Sequence, residues 1–140
     1  MGLFGGDKNV VPATLESFKD GLVGLGFDVQ QKDETTLMAK HQTYFNVVLR
    51  LSSNRKEALF LSYFGVQPSV QRMELLEAIN SCNQSVTVST FSIDKDGDVV
   101  MSRCLPCHNG YTVSQFEYVI EESMREIAVA AAKHLKEYLK

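Results

Sequence analysis

One short segment carries the residue types best suited to chemistry in this chain. Cys104 and Cys107 are separated by two residues, and His108 follows directly, which gives Cys-Leu-Pro-Cys-His. This spacing is that of c-type haem attachment, where two thiols form thioether bonds and the histidine supplies an axial ligand. Such attachment requires export, and the sequence does not open with the basic and apolar regions of a signal peptide. We therefore expect no haem and no other cofactor.

The same segment fits two further chemistries and one structural role. A redox dithiol needs its first cysteine at a helix N-terminus, but the next predicted helix begins several residues later. A zinc site formed by Cys82, Cys104, Cys107 and His108 has the right ligand types, provided that the second helix ends near the last strand. Alternatively, the cysteines are small apolar residues at a proline turn. A metal- or redox-dependent role of this segment stays open as the alternative function.

Three aspartates alternate along residues 94–98 and resemble part of a calcium-binding loop. An EF-hand requires glycine at position 6 and glutamate at position 12, where this sequence has Val99 and Leu105. The pattern therefore indicates a hairpin turn, for which Asp96-Gly97 is a strong signal.

Two asparagines, Asn80 and Asn83, lie near the end of the second predicted helix. Asparagine often bonds to backbone groups at helix ends, so we expect this pair to end the helix and brace the next strand. The acidic residues between 117 and 126 are expected to form a solvated helix face. The sequence lacks a Ser-His-Asp set, a P-loop, a glycine-rich dinucleotide-binding turn and an HExxH motif. These observations predict a protein that is not an enzyme.

Length and composition define the class of protein that positions these residues. The 140 residues predict one domain over residues 11–140 after a flexible tail, residues 1–10. The hydrophobic fraction of 44% and the charged fraction of 22% are those of a globular protein. A net charge of −3 argues against nucleic acid as a partner. The lack of a long apolar run argues against a membrane segment, and an odd cysteine count suits reduced thiols in the cytoplasm.

Hydrophobic periodicity predicts an α+β fold with the order α-β-β-β-β-α-β-β-α. The predicted elements are a helix over 12–25, strands over 27–31, 35–40, 44–51 and 58–64, a second helix capped by Ser69, strands over 86–93 and 99–105, and a third helix for which Thr112–Gln115 and Ser114–Glu117 are both capping-box candidates. Short connections favour antiparallel pairing, with helices covering one face of the sheet. The other face is expected to carry Tyr44, Thr87 and Ser89.

The second half of the chain resembles the YbjN family, a group described as bacterial sensory-transduction regulators. The resemblance rests on Met73–Asn83, the hairpin at Asp96-Gly97 and the segment Gly110–Ser114 that leads into a long helix. In element order it extends over about residues 12–139. It implies the fold of type III secretion chaperones, helix, strands, helix, strands, helix. It further implies a module without catalytic residues that binds other polypeptides, often as a homodimer.

These observations predict a cytosolic protein-binding module, chaperone-like or regulatory, that acts as a homodimer on a protein partner. The final helix contains Ala128 and Ala130–Ala132, small residues that would permit close helix–helix packing. The alternative is that these alanines pack on the protein's own sheet.

Overall fold

The structure is a computed structural model that describes residues 10–140. Its elements are β1 (Val10–Val11), α1 (Leu15–Gly24), β2 (Asp28–Gln31), β3 (Thr36–Lys40), β4 (Val47–Leu51), β5 (Glu57–Phe64), α2 (Arg72–Ser85), β6 (Thr90–Ile93), β7 (Val99–Pro106), β8 (Tyr111–Thr112) and α3 (Val113–Ala130), with a π-helical turn over Ala131–Leu135. Six strands form an antiparallel sheet in the order β2-β3-β4-β5-β7-β6, with the helices packed against it. The predicted α+β class is confirmed.

The structure also contains a two-stranded sheet that was not predicted from the sequence. Val10 pairs with Thr112 and Val11 with Tyr111, so β1 lies against the residues that lead into α3. Of the predicted flexible tail, residues 1–10, only Val10 is among the described residues, and it lies in β1. Among residues 10–140, none of the helices combines the length and apolar character that crossing a bilayer requires.

Capping boxes define where two of the helices begin. Thr14 and Ser17 bond reciprocally at the start of α1, and Thr112 does the same with Gln115 at the start of α3, as predicted. The cap predicted at Ser69 is wrong. Helix α2 begins at Arg72, and Gln71, at its N-cap, forms no side-chain capping bond.

Strand alternation sends one row of apolar side chains toward the helices. In β4 the inward residues are Val47, Leu49 and Leu51, all buried, while Arg50 between them is exposed. Phe60 of β5 is fully buried against Phe116 of α3, with ring centroids 6.0 Å apart. The core therefore lies between the sheet and the helices.

Tyr44, Thr87 and Ser89, which the sequence placed on the outer face of the sheet, lie outside its strands. Tyr44 lies before β4 and stacks on His41, with ring centroids 4.6 Å apart. Ser89 is buried, and its backbone amide donates to Glu126 of α3. This face combines apolar side chains with polar ones, among them Arg50, Ser92 and Ser102.

Two glycines with positive φ offer a matched stability test. Gly97 and Gly110 both have φ +87°, where a β-carbon costs about 1–2 kcal/mol. A β-carbon on Gly97 would meet open space, whereas one on Gly110 would lie 2.6 Å from the carbonyl oxygen of Val11. Urea unfolding should show a clearly larger loss of stability for Gly110→Ala than for Gly97→Ala. Equal losses would contradict the close approach of β1 to this turn.

Candidate functional site

The Cys-x-x-Cys-His segment is not assembled as a metal site in the part of the chain that the structure describes. Cys104 is exposed on β7, whereas Cys107 is buried and donates from Sγ to the carbonyl oxygen of Arg55 over 3.7 Å. The His108 ring instead bonds the side chain of Asn109, with Nε2 3.0 Å from Nδ2. Burial raises the pKa of the Cys104 and Cys107 thiols, which makes both poorer nucleophiles at neutral pH.

Cys82, the third member of the predicted zinc set, lies elsewhere in the core. It is fully buried on α2 and its Sγ approaches the carbonyl oxygen of Ala130 at 3.9 Å. Burial raises the pKa of the Cys82 thiol to about 11. Within residues 10–140, no three His, Cys, Asp or Glu side chains are grouped as metal ligands. The set Cys82, Cys104, Cys107 and His108 is therefore not assembled in this structure.

The aspartates of the β6–β7 hairpin serve the turn itself. The Asp94 carboxylate accepts the backbone amides of Asp96 and Asp98, each at 2.9 Å. The Gly97 amide donates to the Asp94 carbonyl oxygen over 3.1 Å, which closes the turn. These contacts give the Asp94 side chain a structural role in the turn.

Asn83 bonds the outer edge of β6. Its Nδ2 donates to the carbonyl oxygen of Phe91 at 3.0 Å, and its Oδ1 accepts the Phe91 amide at 2.7 Å. The side chain thus takes the place of a neighbouring strand at an edge that would otherwise expose unpaired backbone groups. Asn80, one turn earlier, is exposed on α2.

Two charged residues, Glu126 and Arg103, are buried, and neither was predicted from the sequence to be buried. Glu126, assigned there to a solvated face, is 3% exposed, and its carboxylate accepts the amides of Thr87, Val88 and Ser89 at 2.5–3.1 Å. Arg103 is also 3% exposed on the inward side of β7. Its guanidinium lies 5.2 Å from the centroid of the Phe60 ring.

The pKa values of these two groups reflect burial and their partners. Burial raises the pKa of the Glu126 carboxyl, but the hydrogen bonds from residues 87–89 outweigh it and the net pKa is lowered. Burial lowers the pKa of Arg103 to about 9, against the opposing effect of the Glu126 charge. A signal for Arg103 existed in the sequence, since it is the charged residue in the inward row Val99, Met101, Arg103, Leu105. Nothing comparable distinguished Glu126.

The face of the six-stranded sheet turned away from the helices is a candidate for binding. We call it the outer face; its apolar residues are Met38, Val48, Leu59, Leu61, Tyr63 and Val100. They lie side by side in the sheet register, Met38 opposite Val48, Val48 opposite Leu61, and Tyr63 opposite Val100. Met38 is 40% exposed and Tyr63 46%.

A groove of about 420 Å³ runs over part of the outer face. Leu59, Leu61, Tyr63 and Val100 are among its lining residues. Arg50 also lines the groove, as do Asp94–Asp96 of the hairpin. The groove therefore combines apolar side chains with charges of both signs.

The two asparagines provide a matched pair of variants. Asn83→Ala removes both bonds to Phe91 and should lower the free energy of unfolding by about 1–3 kcal/mol. Asn80→Ala, on the exposed face of the same helix, should change it by less than about 0.5 kcal/mol. Denaturant unfolding measures both, and similar losses for the two variants would contradict the edge role of Asn83.

The three thiols should differ in reactivity. An aromatic disulfide reagent should modify one thiol per folded chain quickly, at the exposed Cys104, and the buried Cys82 and Cys107 only on unfolding. Cys104→Ser should abolish the fast phase, which absorbance of the released thiolate measures. Two fast thiols in the wild type would instead support a paired, reactive Cys104 and Cys107.

Comparison with known proteins identifies the family. The profile of YbjN, described as "Putative bacterial sensory transduction regulator", matches residues 14–131. No curated protein matches the sequence. The crystal structure of YbjN from E. coli, described as "a putative transcription regulator", superposes with a TM-score of 0.71 at 20% identity. The match covers 94% of this chain and 98% of that chain.

Two further similar structures contain type III secretion complexes. A chain in the structure of the Yersinia pestis chaperone SycH with a stable fragment of YscM2 gives a TM-score of 0.55 at 14% identity, covering 80% of this chain and 94% of that chain. A chain in the Pseudomonas aeruginosa ExoU–SpcU complex gives 0.51 at 14% identity, with 79% and 94% covered. These likenesses establish the shared fold. Because the family profile matches most of its length, the chain belongs to the YbjN family.

Proposed function

We propose that this chain is a non-enzymatic, cytosolic protein-binding module that acts as a homodimer in a chaperone-like or regulatory role. The observation that carries the proposal is the apolar outer face of the six-stranded sheet, where Met38 and Tyr63 are about half exposed. Contiguous apolar surface of this kind marks interaction sites on soluble proteins. Three unpaired cysteines, two of them buried, suit a reducing compartment.

The occupant that fits the outer face is an extended segment of a partner protein with apolar side chains. Such a segment would bury its side chains on Leu59 and Tyr63, while its charged residues meet Arg50 or the acidic hairpin. Structures of similar fold were solved with SycH bound to a fragment of YscM2 and as the ExoU–SpcU complex, and these complexes make a polypeptide partner the natural proposal.

A separate surface is available for dimer formation. Met73 and Leu76 of α2 are 67% and 42% exposed and lie one turn apart on the helix. From the sequence, the alanines of the last helix were considered either for close helix–helix packing or for packing on the protein's own sheet, and they differ in exposure. Ala130 is buried against α2, where its carbonyl oxygen contacts Cys82, whereas Ala128 and Ala132 are exposed.

Charge introduced on the outer face should abolish binding of unfolded polypeptide. The test protein is reduced α-lactalbumin, whose aggregation is followed by light scattering. Met38→Glu with Tyr63→Glu should raise the concentration needed for suppression at least about tenfold, since each buried apolar side chain contributes about 1.5–3 kcal/mol. Equal suppression by the variant and the wild type would contradict binding at this face.

The control pair, Met73→Glu with Leu76→Glu, carries the same added charge on α2. It should leave suppression unchanged and convert a dimer of about twice 15.7 kDa to the monomer in sedimentation velocity. A wild-type protein that sediments as a monomer at high concentration would overturn the dimer.

A further inference from the structure

The sheet is incomplete along one part of its edge. Strand β7 has eight residues, all paired with β5, but β6 pairs only with Val99–Ser102. Pairing ends at Thr90 opposite Ser102, so β6 does not extend along Arg103–Pro106. The residues that precede β6, Val86–Ser89, alternate apolar and polar side chains and were predicted to belong to the strand. Something holds them away from β7.

The Glu126 carboxylate accounts for this. It accepts three successive backbone amides, those of Thr87, Val88 and Ser89, at 2.5–3.1 Å. In a strand, successive amides point to opposite sides, so three of them cannot converge on one anion. The contact between α3 and this segment therefore excludes strand geometry over residues 87–89.

A second, unused partner for Glu126 lies close by. Continuing the β6–β7 register places Ser89 opposite Arg103. Arg103 is buried, and among residues 10–140 its Nε and Nη2 have no hydrogen-bond partner, as is also true of the Ser89 hydroxyl. A buried guanidinium with unused donors is costly, and the negative charge of Glu126 already acts on it by raising the Arg103 pKa.

We propose that Glu126 is a latch between two conformations of Val86–Ser89. In the observed state, the carboxylate holds the segment off the sheet and leaves Arg103 unsatisfied. In the second state, the segment extends β6 with Val88 opposite Cys104, and the carboxylate moves to the free donors of Arg103. Each state satisfies polar groups that the other leaves unpaired.

The second state would enlarge the outer face. Thr90 is exposed on that face, so alternation places Val88 and Val86 on it as well, with Val88 beside Cys104. The latch would thereby control how much apolar surface is offered to a partner. This control of the apolar surface rests on the proposed function. The two-state equilibrium itself does not, and it can be measured without any partner.

The test compares amide hydrogen exchange at residues 87–89 by NMR in four proteins. Glu126→Gln, which loses the charge and one acceptor, should accelerate exchange about tenfold or more at Thr87 and Ser89, whose amides would point away from β7, and produce cross-strand Overhauser contacts between residues 88 and 104. Arg103→Met removes the partner of the second state and should slow exchange below the wild-type rate. Glu122→Gln, one turn earlier on α3 and paired with Arg125 at the surface, is the control and should match the wild type.

The two main variants must act in opposite directions. If Arg103→Met leaves exchange unchanged or accelerates it, Arg103 is not the alternative partner and the latch is overturned. Wild-type rates in Glu126→Gln, or faster exchange without contacts between residues 88 and 104, overturn it equally. Should Glu126→Gln fail to fold, the direction of the Arg103→Met effect decides alone.

Discussion

Phe116 of α3 contacts three other aromatic rings, and through them α1 and α3 are joined to the sheet. Its centroid lies 5.9 Å from that of Phe18 on α1, 6.0 Å from Phe60 on β5 and 5.9 Å from Tyr111 on β8. A β-carbon on Gly21 would lie 2.9 Å from the Phe116 ring, so α1 approaches α3 as closely as a glycine allows. Because this packing places the helices on one side of the sheet, the other side remains available.

The uncovered outer face of the sheet is the feature on which the proposed function depends. A sheet covered on both faces would need apolar residues throughout, whereas here Arg50 and Cys104 are exposed on the outer face beside half-buried Leu59. At the β6 edge of the sheet, side chains bond the backbone groups. Asn83 bonds the outer edge of β6, and Glu126 takes up the amides just before it. Side chains of α2 and α3 thus supply the hydrogen bonds that further strands would otherwise provide.

The elements with strong local signals could be predicted from the sequence, and the tertiary contacts could not. Alternation along β4, the Asp96-Gly97 turn and the capping box at Thr112 are local patterns that fixed the α+β class and the antiparallel order. The early end of β6 depends on Glu126, 37 residues from Ser89 in the sequence, so periodicity over 86–93 predicted too long a strand. Likewise, the spacing of Cys104, Cys107 and His108 suggested a shared site. Alternation along β7 instead leaves Cys104 exposed, while Cys107 is buried beside Arg55.

We propose that the outer face binds polypeptide. Methyl NMR during titration with reduced α-lactalbumin tests this binding most directly. The account predicts that methyl signals of Met38, Val48, Leu59, Leu61 and Val100 shift together and saturate, while those of the inward-facing Leu37 and Leu49 remain in place. Shifts confined to Met73 and Leu76 of α2, or no saturable shift at any methyl group, would contradict it.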